Sequence, residues 1–229
     1  MKIIATAALA ALALAAGGKE TGEMTAKLHW HGHDTFRVDG PPVVYVDPYQ
    51  RRAGLPTADL ILITHDHSDH CSPADVARLR GPATVVVAPA AAAAMLPAPV
   101  VEIAPGDERT LAGVAVRVVR AYNTDKKFHP KQAGMVGYLF TVGGLTYYHA
   151  GDSDHIPEMA GLRPDVALLP VSGTYVMTAA QAAAAAKAIQ PKVAVPMHYG
   201  SIVGSKDDAA TFAKLLEGSG IEVVVKQKE

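Results

Sequence analysis

The run Thr64-His65-Asp66-His67-Ser68-Asp69-His70 constrains this chain more than any other feature of its 229 residues. Four metal-ligand side chains, His65, His67, Asp69 and His70, fall within six positions, directly after an apolar segment at 60–63. Imidazole and carboxylate together suit Zn2+, Mn2+ or Fe. The apolar segment reads as a buried strand whose end delivers the ligands into a loop. In an extended or gently turned backbone His65 and His67 share a side, Asp69 continues that parity, and His70 points elsewhere. One loop can then feed two adjacent cations, His65 and His67 to one, Asp69 and His70 to the other. The bland alternative is a surface loop that is merely rich in His and Asp. The crowding of ligands behind an apolar strand argues against it.

Composition supports a metal site and narrows the rest. Six of the ten histidines sit in two windows, His29, His31 and His33, then His65, His67 and His70. The formal net charge of −1 points away from a nucleic-acid groove or a polybasic membrane patch. Apolar residues make up 49% and charged residues 19%, ordinary for a soluble globular domain. Cys71 is the single cysteine, so no intrachain disulfide forms. Residues 1–20 read as a secretory signal: Lys2, an uncharged apolar run too short to span a bilayer comfortably, then the small-x-small site Ala13-Leu14-Ala15. No Cys follows to carry a lipid anchor. The expectation is a periplasmic or secreted protein with no stable membrane span after cleavage. Its mature domain would cover residues 24–229.

Further along, short strands and turns dominate. Residues 27–31 and 35–38 could form a hairpin, and 43–47 reads as a buried strand. Ser72-Pro73-Ala74-Asp75 starts a helix, with Ser72 as cap and Pro73 at the first position. That helix ends near Gly81, and a short one begins at Ala90. Strands are expected at 84–87, 100–103, 114–119, 136–142 and 145–149, the last two joined by a Gly143-Gly144 turn. Then come a strand at 166–169, a helix capped by Thr178 and Gln181, a strand at 193–195, a helix at 206–217 and a strand at 221–225. No Pro/Ser-rich linker divides the chain. The pattern suggests one α+β domain of two packed sheets with helices outside.

The His-x-His-x-Asp-His run after an apolar strand resembles the signature of the metallo-β-lactamase superfamily. Other pieces match in order. Trp30-His31-Gly32-His33 with Phe36, and Val46-Asp47-Pro48, resemble the stand-alone metal-dependent hydrolase branch typified by ascorbate-6-phosphate lactonase and the N-acyl phosphatidylethanolamine phospholipases. His149-Ala150-Gly151-Asp152 resembles its Gly-Asp element, and Pro196-Met197-His198-Tyr199-Gly200 its terminal histidine. The likeness runs over about residues 28–200. It implies a four-layer αββα sandwich and two divalent metal ions, Zn2+ first, with Mn2+ or Fe as alternatives. It also implies that His65, His67 and a third histidine hold one ion, that Asp69, His70 and His198 hold the other, and that Asp152 bridges. His129 is the preferred third histidine and His149 its competitor. His33 would support the site by hydrogen bonding or merely close a turn. Asp47 would orient a ligand or close a turn, and Cys71 is better read as apolar filler than as a ligand. Ser153 stands where the branch commonly has Thr, and His31 is an extra histidine.

The implied chemistry is hydrolysis of an ester, lactone or phosphoester in a small-molecule substrate by a hydroxide shared between two metals, with Asp69 or Asp152 able to accept a proton. Two other readings compete. A true β-lactamase would suit export, but such enzymes generally lack the bridging carboxylate that Asp152 provides. A noncatalytic metal-binding protein would keep the ligands without turnover. Substrate identity, native metal and oligomeric state are not legible in the residues.

Overall fold

The computed structural model describes residues 21–50 and 54–229; the expected leader at 1–20 lies outside the described residues. Among the described residues, thirteen strands form two sheets. The first contains β1 (Leu28–Trp30), β2 (Phe36–Val38), β3 (Val44–Val46), β4 (Ala58–Leu62), β5 (Arg80–Pro89) and β6 (Val101–Ile103) in sequential order. The second contains β7 (Glu108–Leu111), β8 (Val114–Arg120), β9 (Val136–Val142), β10 (Leu145–His149), β11 (Val166–Pro170), β12 (Val193–Met197) and β13 (Glu222–Val223). Each sheet begins antiparallel and turns parallel: from β3 to β6 in the first, from β10 to β13 in the second.

The period of two along each strand explains the layering. Leu60 and Leu62 of β4, Val44 and Val46 of β3 and Val87 of β5 enter the core between the sheets, where they join Val116, Val118, Tyr138 and Phe140. Their neighbours Ile61, Ile63, Tyr45, Val86 and Ala88 belong to a second, outer core with Val76 and Leu79 of α1 (Pro73–Leu79) and Ala92 and Ala93 of α2 (Ala90–Ala93). On the other face, α3 (Ala179–Ile189) packs on β11 and on α4 (Lys206–Leu216), which also touches β12. The alanines at 182, 183, 185 and 186 bring α3 close to its neighbours at no side-chain entropy cost. The result is the αββα sandwich. No described helix is long and apolar enough to cross a membrane.

Local chemistry places the helix ends. The Ser72 hydroxyl accepts from the Asp75 amide, and Thr178 and Gln181 form a reciprocal capping box. Gly143 and Gly144 both adopt positive φ, as a two-residue hairpin turn demands. Two expectations change. β7 was not expected, because its Glu-Arg-Thr-Leu sequence lacks the apolar alternation of a half-buried strand; it survives as a charged edge strand paired with β8. The terminal strand expected at 221–225 shrinks to Glu222–Val223 at the opposite edge.

The two sheets are tied together beside the ligand loop, where the Val136 amide of β9 donates to the Thr64 carbonyl at 3.1 Å. The Tyr138 hydroxyl, fully buried on β9, donates to the Ile63 carbonyl at 2.6 Å, just before the histidine run. Tyr138→Phe strands that carbonyl in a dry core and should cost about 1–3 kcal/mol. Urea denaturation measures it as a lower midpoint with an unchanged slope.

Candidate metal centre

The chemistry-bearing residues gather where strands end. Asp47 follows β3, Thr64 and His65 follow β4, Asp152 follows β10, Ser172 follows β11 and His198 follows β12. These are the carboxyl ends of the parallel segments, where open sheets leave a crevice. His33 lies in the β1–β2 turn and His129 in the β8–β9 connection.

Asp47 organises the loop. Fully buried, it accepts from the Thr64 amide at 2.7 Å, the Thr64 hydroxyl at 2.6 Å and Nδ1 of His70 at 2.9 Å. Because the single Thr64 hydroxyl proton goes to Asp47, its oxygen must accept from Nδ1 of His65, 2.9 Å away. That fixes the His65 tautomer and frees Nε2, which faces Nδ1 of His67 at 3.1 Å. In His70 the same logic frees Nε2, which is buried without a hydrogen-bond partner. His129 carries its proton on Nδ1, between the acceptors Asn123 Oδ1 and the Tyr175 carbonyl, both at 3.2 Å. Its Nε2 is likewise buried and unpartnered. Nδ1 of His198 is held by the Ser172 hydroxyl at 2.9 Å. Four imidazoles are thus tied from behind and present the other nitrogen to a common centre, the arrangement metal-ligating histidines adopt.

Asp152 lies at that centre. Its Oδ2 is 3.1 Å from Nε2 of His198 and 3.3 Å from Nε2 of His129, and its Oδ1 is 3.5 Å from Nε2 of His70. Gly151 carries the chain past it with φ of +59°, and a Cβ there would stand 2.8 Å from the Val136 carbonyl and against Thr64. Asp47, His33 and His198 adopt positive φ without being glycine, a local strain typical of functional sites.

His65, His67 and His129 form one group whose ligand atoms lie within 4.8 Å of one another; His33, His70 and His198 form another. Asp69 meets the second group, with Oδ2 2.9 Å from Nε2 of His33 and 3.7 Å from Nε2 of His70. The orphaned nitrogens and the orphaned Asp152 Oδ1 fit bound cations, since nothing in the protein satisfies them.

The structure brings His129, not His149, to His65 and His67. His149 lies beneath the site, its Nε2 against the Asp34 carbonyl at 2.9 Å and its Nδ1 accepting from Gly151. The parity expected along 65–70 gives way to a turn, in which the amides of His70 and Cys71 both donate to the His67 carbonyl. The turn sets the His65 ring 4.1 Å from that of His70, tilted by 42°. Cys71 packs in the outer core, and burial pushes its thiol up to about 12. Tyr199 packs on Trp30, and His29 bonds to Asp39 and Glu229. Asn123 braces His129, a role that no local pattern signals because its partners are six and 52 residues away.

Electrostatics divide the imidazoles. Burial pushes His65 well down, and His129 down, although Asp152 opposes it in both. Burial also works against charge on His70 and His198, but the carboxylates around them together outweigh it, Asp152 with Asp47 and Asp34 at His70 and Asp152 with Asp34 at His198, which rises to about 9. The same cations hold Asp152 well below the usual carboxylate range despite its burial. Burial is likewise overcome at Asp69, which the His33 hydrogen bond and His70 bring to about 2. A cleft of about 440 Å3 opens onto His67, Asp69, His129, Asp152 and His198, and Tyr49, Phe128, Tyr175 and Ile202 also line it.

Residues 27–198 match the family model described as the beta-lactamase superfamily domain. A UPF0173 metal-dependent hydrolase of Thermoplasma acidophilum is 32% identical over 217 residues, covering 89% of this chain and 96% of that protein. Among solved structures, a Parabacteroides distasonis protein assigned to the metal-dependent hydrolases superposes with a TM-score of 0.79 at 32% identity, over 88% of this chain and 93% of the other. Igni18, a metallo hydrolase of Ignicoccus hospitalis, gives 0.72 at 27% identity, over 88% and 94%. The chain therefore belongs to the metal-dependent hydrolases of the metallo-β-lactamase superfamily.

Metal binding requires neutral imidazoles and releases protons. His198 is raised to about 9 by Asp152 with Asp34, so it is protonated at neutral pH without metal. Apparent metal affinity should therefore climb as pH rises through neutrality towards about 9. Chelator-competition titrations across that range measure the slope. Asp47→Asn should weaken metal retention about 10–100-fold at fixed pH, measured the same way, with the circular dichroism spectrum unchanged.

Proposed function

We propose that this protein is a binuclear hydrolase of an ester, lactone or phosphoester in a small-molecule substrate. One observation carries the reading: the single carboxylate of Asp152 touches both groups of imidazoles, His129 on one side and His198 and His70 on the other. In this reading His65, His67 and His129 hold one cation, Asp69, His70 and His198 hold a second, and Asp152 spans them. Two divalent ions, Zn2+ first with Mn2+ or Fe as alternatives, would supply Lewis acidity and bring the pKa of a shared water towards neutrality.

The protein's own groups do the rest. Thr64, Asn123, Ser172 and Asp47 hold the imidazoles in fixed orientations, so little reorganisation would accompany reaction. Asp69 lines the cleft and keeps its carboxylate ionised through His33 and His70, which would make it a proton acceptor open to the cleft. Asp152 is a weaker base, because the surrounding histidines stabilise its charge. The edge-to-face pair of Phe128 and Tyr175, with ring centres 4.7 Å apart, helps wall the cleft and favours a substrate with an apolar flank beside the scissile bond. The leader read at residues 1–20 would place this hydrolase in the periplasm or outside the cell.

Elemental analysis of protein purified without added metal, paired with an ester, lactone and phosphodiester panel, tests the reading. Two ions per chain are expected, with turnover of at least one substrate class. His67→Ala should bind one ion fewer and lose more than about 100-fold in kcat/KM, beyond what loss of an outer-shell partner costs. Fewer than one ion per chain, with no activity after Zn2+ or Mn2+ is restored, would falsify it.

A further inference from the structure

Asp34 follows His33 in the β1–β2 turn and belongs to neither ligand set above. Its side chain is fully buried, and neither carboxylate oxygen accepts from an N–H or O–H donor; the carboxylate of Asp152 is the side chain within hydrogen-bonding reach. Asp47, equally buried, accepts from three donors. The imidazole nearest Asp34, at 3.8 Å, offers Nδ1 of His70, a nitrogen already committed to Asp47. Asp34 instead shares a pocket with His70 and Asp152, where one ligand atom from each lies within 4.8 Å of the others. Asp152 Oδ1 and His70 Nε2 are also buried and unpartnered. Two buried carboxylates side by side repel, and an unpaired charge away from water is costly. Either a cation or a shared proton must compensate them.

We propose that Asp34 supplies a carboxylate oxygen to the second cation, beside His70 and Asp152. The inference rests on the two-cation reading above and adds a consequence to it. The first set, His65, His67 and His129, is all imidazole apart from the Asp152 bridge. The second would draw on Asp34, Asp69 and Asp152 together with His70 and His198. Imidazole suits Zn2+, whereas a carboxylate-rich, higher-coordinate set suits Mn2+. The two positions would therefore differ in preference, with Zn2+ in the first and a harder ion in the second. A fully buried aspartate that receives no N–H or O–H donor and lies against a second carboxylate suits this use, whereas a purely structural one would cap amides as Asp47 does.

The test uses the full chain, stripped of metal, given one equivalent of Zn2+ and then titrated with Mn2+ while electron paramagnetic resonance reads free Mn2+. Wild type should take up one Mn2+. Asp34→Asn and the smaller Asp34→Ser should each weaken that uptake at least about tenfold, with Zn2+ stoichiometry and circular dichroism unchanged. Mn2+ affinity within about twofold of wild type in a folded variant overturns the proposal and leaves a proton between the carboxylates. A wild type that holds Zn2+ but no second ion overturns the two-cation reading and this proposal with it. Anomalous scattering from Mn2+-loaded wild-type crystals decides independently of any variant. An Asp34 oxygen within about 2.5 Å of the second ion supports the proposal, since carboxylate ligands sit near about 2.0–2.2 Å, and one beyond about 3.5 Å overturns it.

Discussion

A carboxylate with almost no access to water sits among histidines, and the rest of the site is arranged around it. Asp152 is buried at the end of β10, where an ionised group survives only with compensating charge or hydrogen bonds. His70, His129 and His198 approach it from three different parts of the chain. The interaction is mutual: the carboxylate raises His70 and His198, and they hold it ionised. Such a cluster of like groups is poorly satisfied by protein alone. The orphaned nitrogens of His70 and His129 and the orphaned Asp152 oxygen record that shortfall, which bound cations would remedy.

The fold supports this centre by geometry more than by bulk. Parallel strands deliver their carboxyl ends to one edge of the sandwich, so Asp47, His65, Asp152, Ser172 and His198 arrive from five strands at one crevice. A layer behind the imidazoles then sets their orientation. Asp47 ties Thr64 and His70 to β3, Asn123 ties His129 to the Tyr175 loop, and Ser172 ties His198 to β11. Each tie consumes the nitrogen that faces away from the centre. The strained backbone at Asp47, His33 and His198 is tolerated because the surrounding sheets hold those residues from several sides.

Much of this was legible before any coordinates. The strand before His65, the capped helix at Ser72, the Gly143-Gly144 turn and the capping box at Thr178 are local, and residue type alone signals them. What stayed hidden depends on distance along the chain. Both His129 and His149 precede Asp152, and their spacing does not rank them by geometry. The strand direction of β10 turns His149 towards the Asp34 carbonyl, while the loop after β8 swings His129 over His65. Asn123, Ser172 and Asp34 carried no motif of their own. Their significance comes from partners that only the folded chain brings near.

The sequence by itself determined that several metal-ligating side chains would emerge from the end of a buried strand, because the apolar run at 60–63 and the His-Asp run are both contained within a dozen residues. The order of short strands and capped helices suggested packed sheets with helices outside, and the likeness of the His-Asp motifs to a known superfamily implied the αββα sandwich. Only the tertiary structure decided which imidazole faces which, which nitrogen each leaves free, and that Asp34 lies buried beside Asp152 with no N–H or O–H donor to receive. Those outcomes depend on contacts between segments up to more than a hundred residues apart, such as His149 to the Asp34 carbonyl. Local sequence carries the identity of a ligand, but its orientation is set by the distant atom that occupies its other face.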